Sequence, residues 1–225
     1  MSQNRPKDAI TRNGPLTRLN HWLTGLCFVL LMLSGLAMFH PYFSWLSFLF
    51  GSGQWMRAVH PWFGVALVAS FLGLFVQFWR CNLWKREDTE WVKNVDKLLK
   101  GGEGMPEIGR FNAGQKGVFW GMALLIPVLF VSGLLIWEYY FGHATTIPVQ
   151  RVALLIHSAA AIGVILIWIV HVYAAIWVKG SMRAMIRGWV TPGWARHHHP
   201  KWFRALVETG SSGPTPNPKP GNRAP

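Results

Sequence analysis

Four of the nine histidines in this 225-residue chain stand at the edge of, or inside, long apolar runs. His21 opens one run and His60 another, while His157 and His171 share a third. His157 and His171 are separated by fourteen positions. On a helix that is about 21 Å and nearly a whole number of turns, so both imidazoles leave the same face. Neutral imidazoles opposed in pairs within a water-poor bundle suit haem iron, with one ring above the macrocycle and one below. A zinc site would need three or four ligands converging at about 2 Å, and two pairs offer only two ligands each. One turn beyond each histidine stands a small residue, Gly25, Gly64, Ala161 and Ala175, which leaves room for a flat ring. The ordinary alternative is an interhelical hydrogen-bonding histidine, a common packing device in membranes. Polar groups at membrane depth nonetheless begin as functional candidates, and four paired by depth favour ligation. His40 and His143 read as surface or partner-contact residues. His197, His198 and His199 read as a solvated basic stretch, with a metal-binding tract as the alternative.

The elements that must position these residues are four apolar runs at about 22–39, 61–79, 117–137 and 152–178, none containing Asp, Glu, Lys or Arg. About 20 apolar residues cross a hydrocarbon core of roughly 30 Å, and backbone satisfaction in lipid makes such runs helices. Pro127 predicts a kink in the third. Of 22 Lys and Arg, twenty fall before the first run, between the second and third, or after the fourth; only Arg57 and Arg151 lie on the other side. The positive-inside rule then puts both termini and the central loop in the cytoplasm. Under that topology His60 comes level with His157 near the periplasmic face, and His21 with His171 near the cytoplasmic face. Trp22, Trp45, Trp62, Trp79, Trp137, Tyr139, Tyr140 and Trp177 fit interfacial belts.

The expected fold is therefore an all-α, integral membrane four-helix bundle with cytoplasmic N- and C-termini. A cytoplasmic segment covers 1–20, the four-span domain 21–205 with a cytoplasmic loop at 80–116, and a disordered tail 206–225. Trp91, Val92, Val95, Leu98 and Leu99 fall at helical spacing in that loop, which predicts an interfacial helix. The tail from Thr209 onward is rich in Gly, Ser and Pro and lacks aromatics. No internal repeat of 20–50 residues is visible.

Composition excludes other classes. With 51% apolar and only 14% charged residues, against roughly 25% charged in an average soluble domain, a well-solvated surface is hard to build and general disorder is ruled out. The net charge of +13 lies where a membrane protein places it, not where a nucleic-acid binder would. Cys27 and Cys81 cannot form a disulfide framework, a zinc finger or an iron–sulfur site, and no CxxCH is present. Any haem would be held non-covalently, as b-type. Two such haems stacked about 20 Å apart would carry electrons between faces. With neither a dinucleotide fingerprint nor a Cys cluster, the donor must sit on another subunit, and a lipid-soluble quinone would be the acceptor.

Particular stretches then carry a resemblance. Asn20-His21-Trp22, Arg57-Ala58-Val59-His60-Pro61-Trp62-Phe63-Gly64, Phe111-Asn112-Ala113-Gly114-Gln115-Lys116, Leu154 through Ala160, and His171 through Ser181 resemble the cytochrome b (gamma) subunit of respiratory, membrane-bound formate dehydrogenases. The resemblance runs from about Leu16 to Ala205 and includes Trp194-Ala195-Arg196 through His199-Pro200. It implies two haems b, with His60 and His157 as axial ligands of the periplasmic-side haem and His21 and His171 of the cytoplasmic-side haem. It also implies menaquinone, or a related quinone, bound beside the latter by Asn112, the backbone at Gly114 and the neighbourhood of His171. On composition alone, Asn-Ala-Gly before the third run reads as a helix start. The implied partners are an iron–sulfur (beta) subunit and a formate-oxidising (alpha) subunit, in the bacterial inner membrane during anaerobic respiration. The chain itself would transfer electrons and reduce quinone but hold no formate-oxidising site. Leu19-Asn20 departs from the family pattern just before the first ligand. Rival readings are a cytochrome subunit of a hydrogenase or thiosulfate reductase and, from a different class, a haem-free membrane anchor or metal transporter.

Overall fold

The structure, a computed structural model, describes residues 5–99 and 104–210. Four long helices dominate: α1 (Pro15–Phe39), α2 (Gly53–Phe78), and, after the short α3 (Arg86–Lys93) and α4 (Val95–Leu99), α5 (Ala113–Ile136) and, beyond a single turn α6 (Glu138–Phe141), α7 (Ile147–Trp177). All four are long and apolar enough to cross a membrane. Each begins before its apolar run does. His60 and Pro61 therefore lie inside α2, two turns from its start, and not at the mouth of a helix. Pro127 lies inside α5, which remains helical through it. The remaining elements are α8 (Ser181–Ile186), α9 (Pro192–His198), α10 (Pro200–Glu208) and two short strands, β1 (Ile10–Thr11) and β2 (Trp189–Val190). The chain divides into two compact units.

The bundle unit comprises 19–75 and 121–170. Its core is Cys27, Phe28, Leu67, Ile126 and Val164, with Leu31, Phe71, Leu129 and Trp168 packed around them. Small residues let α5 and α7 approach closely: a Cβ at Gly121 would lie 2.7 Å from Ile167 Cδ1, and one at Gly163 3.2 Å from Leu125 Cδ1. Such close approach gives helix association the dispersion contacts that lipid would otherwise match. Helices α1 and α2 are joined by a polar set. Asn20 Nδ2 donates to the Ser70 carbonyl at 2.9 Å, Ser70 Oγ donates to Asn20 Oδ1 at 2.7 Å, and Thr24 Oγ1 lies 2.6 Å from Ser70 Oγ. The Asn at position 20 thus has a packing role of its own. At one end Trp62, Trp137 and Tyr140 form edge-to-face contacts with centroids 4.9–6.0 Å apart, an aromatic grouping of the kind that anchors helix ends at a membrane interface.

The described residues of the terminal unit are 5–18, 76–99, 104–120 and 171–210. Strands β1 and β2 pair antiparallel, Ile10 opposite Val190 and Thr11 opposite Trp189. Ile10, Ala184, Val190, Ala195, Trp202 and Leu206 form its core. Leu206 is buried and α10 continues to Glu208, so ordered chain passes the boundary at 205 drawn from the sequence; positions 211–225 lie outside the described residues. The expected interfacial helix is divided at Asn94, whose NH closes α3 and whose side chain donates to the Glu90 carbonyl. Trp91 is half-buried and Val92 and Val95 are exposed; the side chains of Leu98 and Leu99 lie outside the described residues.

This unit buries full charges. Lys116 Nζ is 2.6 Å from Asp88 Oδ2, with side chains 4% and 1% exposed, and also donates to the Leu83 carbonyl at 3.0 Å. Asp88 Oδ2 accepts the Lys85 NH at 2.7 Å as well, capping α3. The Arg12 guanidinium is buried among aromatic faces, 4.7 Å from the Trp202 centroid, 5.2 Å from Trp194 and 5.9 Å from Phe111, an arrangement that replaces some lost hydration by cation–π attraction. Arg12 and Arg110 exchange bonds, each donating to the other's carbonyl at 2.7 and 2.8 Å. Burial first, and the Arg110 charge second, pull Arg12 down to about 9, still protonated at neutral pH.

The reading of His197–His199 as solvated fails at its last member. His199 is 3% exposed; its Nδ1 lies 2.8 Å from the Gly109 carbonyl and its Nε2 3.2 Å from Arg12 Nη2. Arg can only donate, so Nε2 accepts and Nδ1 carries the proton. Burial, then the Arg12 charge, lowers His199 to about 3. The contact that ties this histidine to residues some ninety positions away leaves no local periodicity to read. His197 is exposed and His198 packs against Trp194.

Candidate functional site

Within the bundle unit α2 carries His60 and α7 carries His157, and the fold brings the two rings together with centroids 6.4 Å apart and planes at 63°. The arrangement fits a bis-imidazole haem, because two imidazoles each bonded to one metal at about 2 Å have centres about 6 Å apart. Each ring is held from behind by a serine of the preceding long helix. Ser34 Oγ of α1 lies 2.7 Å from His60 Nδ1, and Ser132 Oγ of α5 lies 3.0 Å from His157 Nδ1. That leaves Nε2 of both histidines for ligation. Directly after each serine comes a glycine. A Cβ at Gly35 would sit 3.7 Å from His60 Cε1, and one at Gly133 only 3.3 Å from His157 Cε1. A Cβ at Gly64, one turn beyond His60, or at Gly25, one turn beyond His21, would meet no atom within 4 Å, which is the free edge a macrocycle needs.

The other two histidines of the expected set fall in different units: His21 on α1 in the bundle unit, next to Trp22 at 5.7 Å, and His171 on α7 in the terminal unit. Both are half-buried. His40 and His143 are exposed, and His40 Nδ1 accepts the Tyr42 NH to start a 3₁₀ segment. Among the described residues no group of three or more His, Cys, Asp or Glu could hold a metal ion.

Asn112 and Gly114 stand at the start of α5 in the terminal unit. Asn112 Oδ1 accepts the Gln115 NH at 2.8 Å, and Gln115 Oε1 accepts the Asn112 NH at 3.0 Å. This reciprocal pair is a capping box, so the helix-start reading of these residues is correct. The cap uses only the oxygen of the amide, and the NH2 remains a donor. A Cβ at Gly114 would meet Trp91 Cη2 and Asn112 Oδ1, both at 3.4 Å, so the indole of α3 lies directly on this turn.

The prokaryotic cytochrome b561 family matches over residues 12–188. The chain is 45% identical to the formate dehydrogenase cytochrome b556(fdo) subunit of Escherichia coli K12, over 90% of this chain and 96% of that protein. It is 41% identical to the cytochrome b556 subunit of Haemophilus influenzae formate dehydrogenase, over 88% and 84%, and 41% identical to the nitrate-inducible cytochrome b556(Fdn) subunit of Escherichia coli K12, over 88% and 91%. The chain belongs to this cytochrome b family. As a member with four apolar spans it is a multi-pass protein of the bacterial inner membrane, a b-type cytochrome subunit built as a helical bundle.

Sequence reasoning missed Ser34, Ser132, Gly35, Gly133 and Trp91. A signal for the first four was present, since Ser-Gly-Leu occurs once in the first span and once in the third.

Proposed function

We propose that this cytochrome b subunit is the diheme, quinone-reducing anchor of a formate dehydrogenase, with His60 and His157 ligating one haem b and His21 and His171 the other. The observation that carries this reading is the facing His60 and His157 rings at 6.4 Å, each backed by a serine hydroxyl. Bound haems would supply one-electron carriers, taking electrons from a partner iron–sulfur subunit on the periplasmic side and delivering them to quinone near the cytoplasmic side. Everything else falls to side chains of this chain. The four histidines supply neutral nitrogen ligands, and apolar spans keep water from them. The basic residues flanking the spans hold the termini and the 80–116 loop in the cytoplasm. Asn112 turns its NH2 toward a quinone carbonyl while its oxygen caps α5, Gly114 leaves its backbone approachable, and the adjoining Trp91 indole offers an aromatic face to the quinone ring. Formate oxidation belongs to a separate alpha subunit.

Haem counting on the co-purified complex tests the ligand set. His60→Ala or His157→Ala should each remove one b-type haem of two from the reduced-minus-oxidised spectrum, and His21→Ala or His171→Ala the other. A protein without b-type absorbance, or retention of both haems in any of these variants, removes the assignment. At the quinone site Asn112→Asp keeps the capping oxygen and deletes the donor, so quinol formation should slow about tenfold or more while both haems stay. Unchanged turnover would take Asn112 out of the site.

A further inference from the structure

The bundle unit contains the same small device twice. Helix α1 presents Ser34-Gly35-Leu36 to His60 of α2, and α5 presents Ser132-Gly133-Leu134 to His157 of α7. Serine and histidine are 26 positions apart in the first case and 25 in the second. In both, the hydroxyl bonds the Nδ1 of the histidine and the glycine clears the neighbouring Cε1 edge of the ring.

The proton count of each bond follows from the helix. Ser34 Oγ lies 2.7 Å from the Leu30 carbonyl and Ser132 Oγ 2.6 Å from the Val128 carbonyl. A carbonyl can only accept, so each serine spends its one proton on the turn behind it. The hydroxyl oxygen then has only lone pairs to offer, and the imidazole must be the donor at Nδ1. His60 and His157 are thereby fixed in the tautomer whose Nε2 is a bare lone pair, the form a metal requires. A serine already donating to a carbonyl is also a better acceptor, since hydrogen bonds in a chain polarise one another. It draws on the Nδ1 proton and increases the electron density that the imidazole can give through Nε2.

We infer that Ser34 and Ser132 are positioning residues that fix the tautomer of His60 and His157 and hold down the reduction potential of the haem between them. This rests on the ligand reading above. A more electron-rich axial ligand stabilises ferric over ferrous iron, so losing the acceptor should raise the potential. Neither serine touches the haem; both act through the histidine.

The test is an optical redox titration of the intact complex carrying Ser34→Ala, Ser132→Ala, both together, and the Thr variants at each position. One of the two b-type titration steps should move to higher potential in each Ala protein and further in the double variant. The other step should stay, and Thr should restore the first because it keeps the hydroxyl. Two haems with both steps unmoved in the double variant would overturn the proposal, and so would an equal shift of both haems. If the double variant loads no haem, the single variants decide by the same criteria. The ligand variants separate the two claims. A His60→Ala protein that keeps both haems sinks the ligand reading itself. One that loses a haem, beside serine variants with unmoved potentials, sinks only the serine inference.

Discussion

The two units of the molecule solve the problem of buried polarity in opposite ways. The bundle unit buries no full charge among its described residues; its hydrogen-bonded polarity rests on hydroxyls, amides and imidazoles, such as the Asn20, Thr24 and Ser70 set and the two Ser–His bonds. The terminal unit buries Arg12, Lys116 and Asp88 outright. The contrast follows from the surroundings. A span that must partition into hydrocarbon pays several kcal/mol for each charge at its centre, so it is confined to neutral groups that can close their bonds locally. A unit made of loops and short helices has carbonyls, aromatic faces and counter-charges available to hold a cation. In the bundle unit, then, a polar side chain points to chemistry or helix register. In the terminal unit it points to how distant stretches are tied together.

The largest effect that would sharpen this contrast is at Lys116. Replacing Asp88 with Ala strands a buried ammonium, which costs about 3–5 kcal/mol when a buried pair loses one partner. Hydrogen exchange should rise through α3 and the start of α5, while the spectrum of the haem proposed for His60 and His157 stays unchanged. The double variant Asp88→Leu with Lys116→Met should recover most of the loss. A bleached spectrum at that haem would show that the two kinds of buried polarity are not independent.

Next comes pH. His199 in the folded chain is held near 3, whereas an unfolded histidine titrates near 6.5. The unfolded chain therefore binds the extra proton more readily between those values. The stability from neutral His199 is complete above about pH 6.5 and drains away as pH falls toward 3, with about 2 kcal/mol already lost at pH 5. His199→Gln, which can still accept from Arg12, should flatten that dependence when melting is followed from pH 7.5 to 5.

How legible these regions were follows the same division. The four helices, their ends apart, are written in apolar runs whose length is set by the bilayer, and the facing of His60 and His157 follows once depth is counted along two helices. Asn112 was readable as a helix start because a capping box is local. The Arg12 cage was not readable, since Arg12, Phe111, Trp194 and Trp202 are brought together across nearly the whole chain and none carries a periodic mark. The serines lay between: their Ser-Gly-Leu repeat was in plain view, but its meaning needs the partner histidine on the next long helix.

The smallest effect compares the two halves of the duplicated device. A Cβ at Gly133 would fall 3.3 Å from His157 Cε1, so the ring must give by a few tenths of an ångström, whereas the 3.7 Å available at Gly35 is ordinary contact with His60. Overpacking in a filled interior costs about 1–3 kcal/mol. Gly133→Ala lies at the low end, because the ring can tilt, and Gly35→Ala below it. Tilting His157 also lengthens or bends its bond to Ser132, which is already the longer of the two at 3.0 Å against 2.7 Å. Gly133→Ala should therefore lower the melting temperature of the complex by a few degrees at most, yet alter the ferric spectrum of the haem proposed at His157. Gly35→Ala should leave both unchanged. If the two substitutions behaved alike, the spacing difference would carry no energetic weight, and the halves would be equivalent in function as well as in sequence.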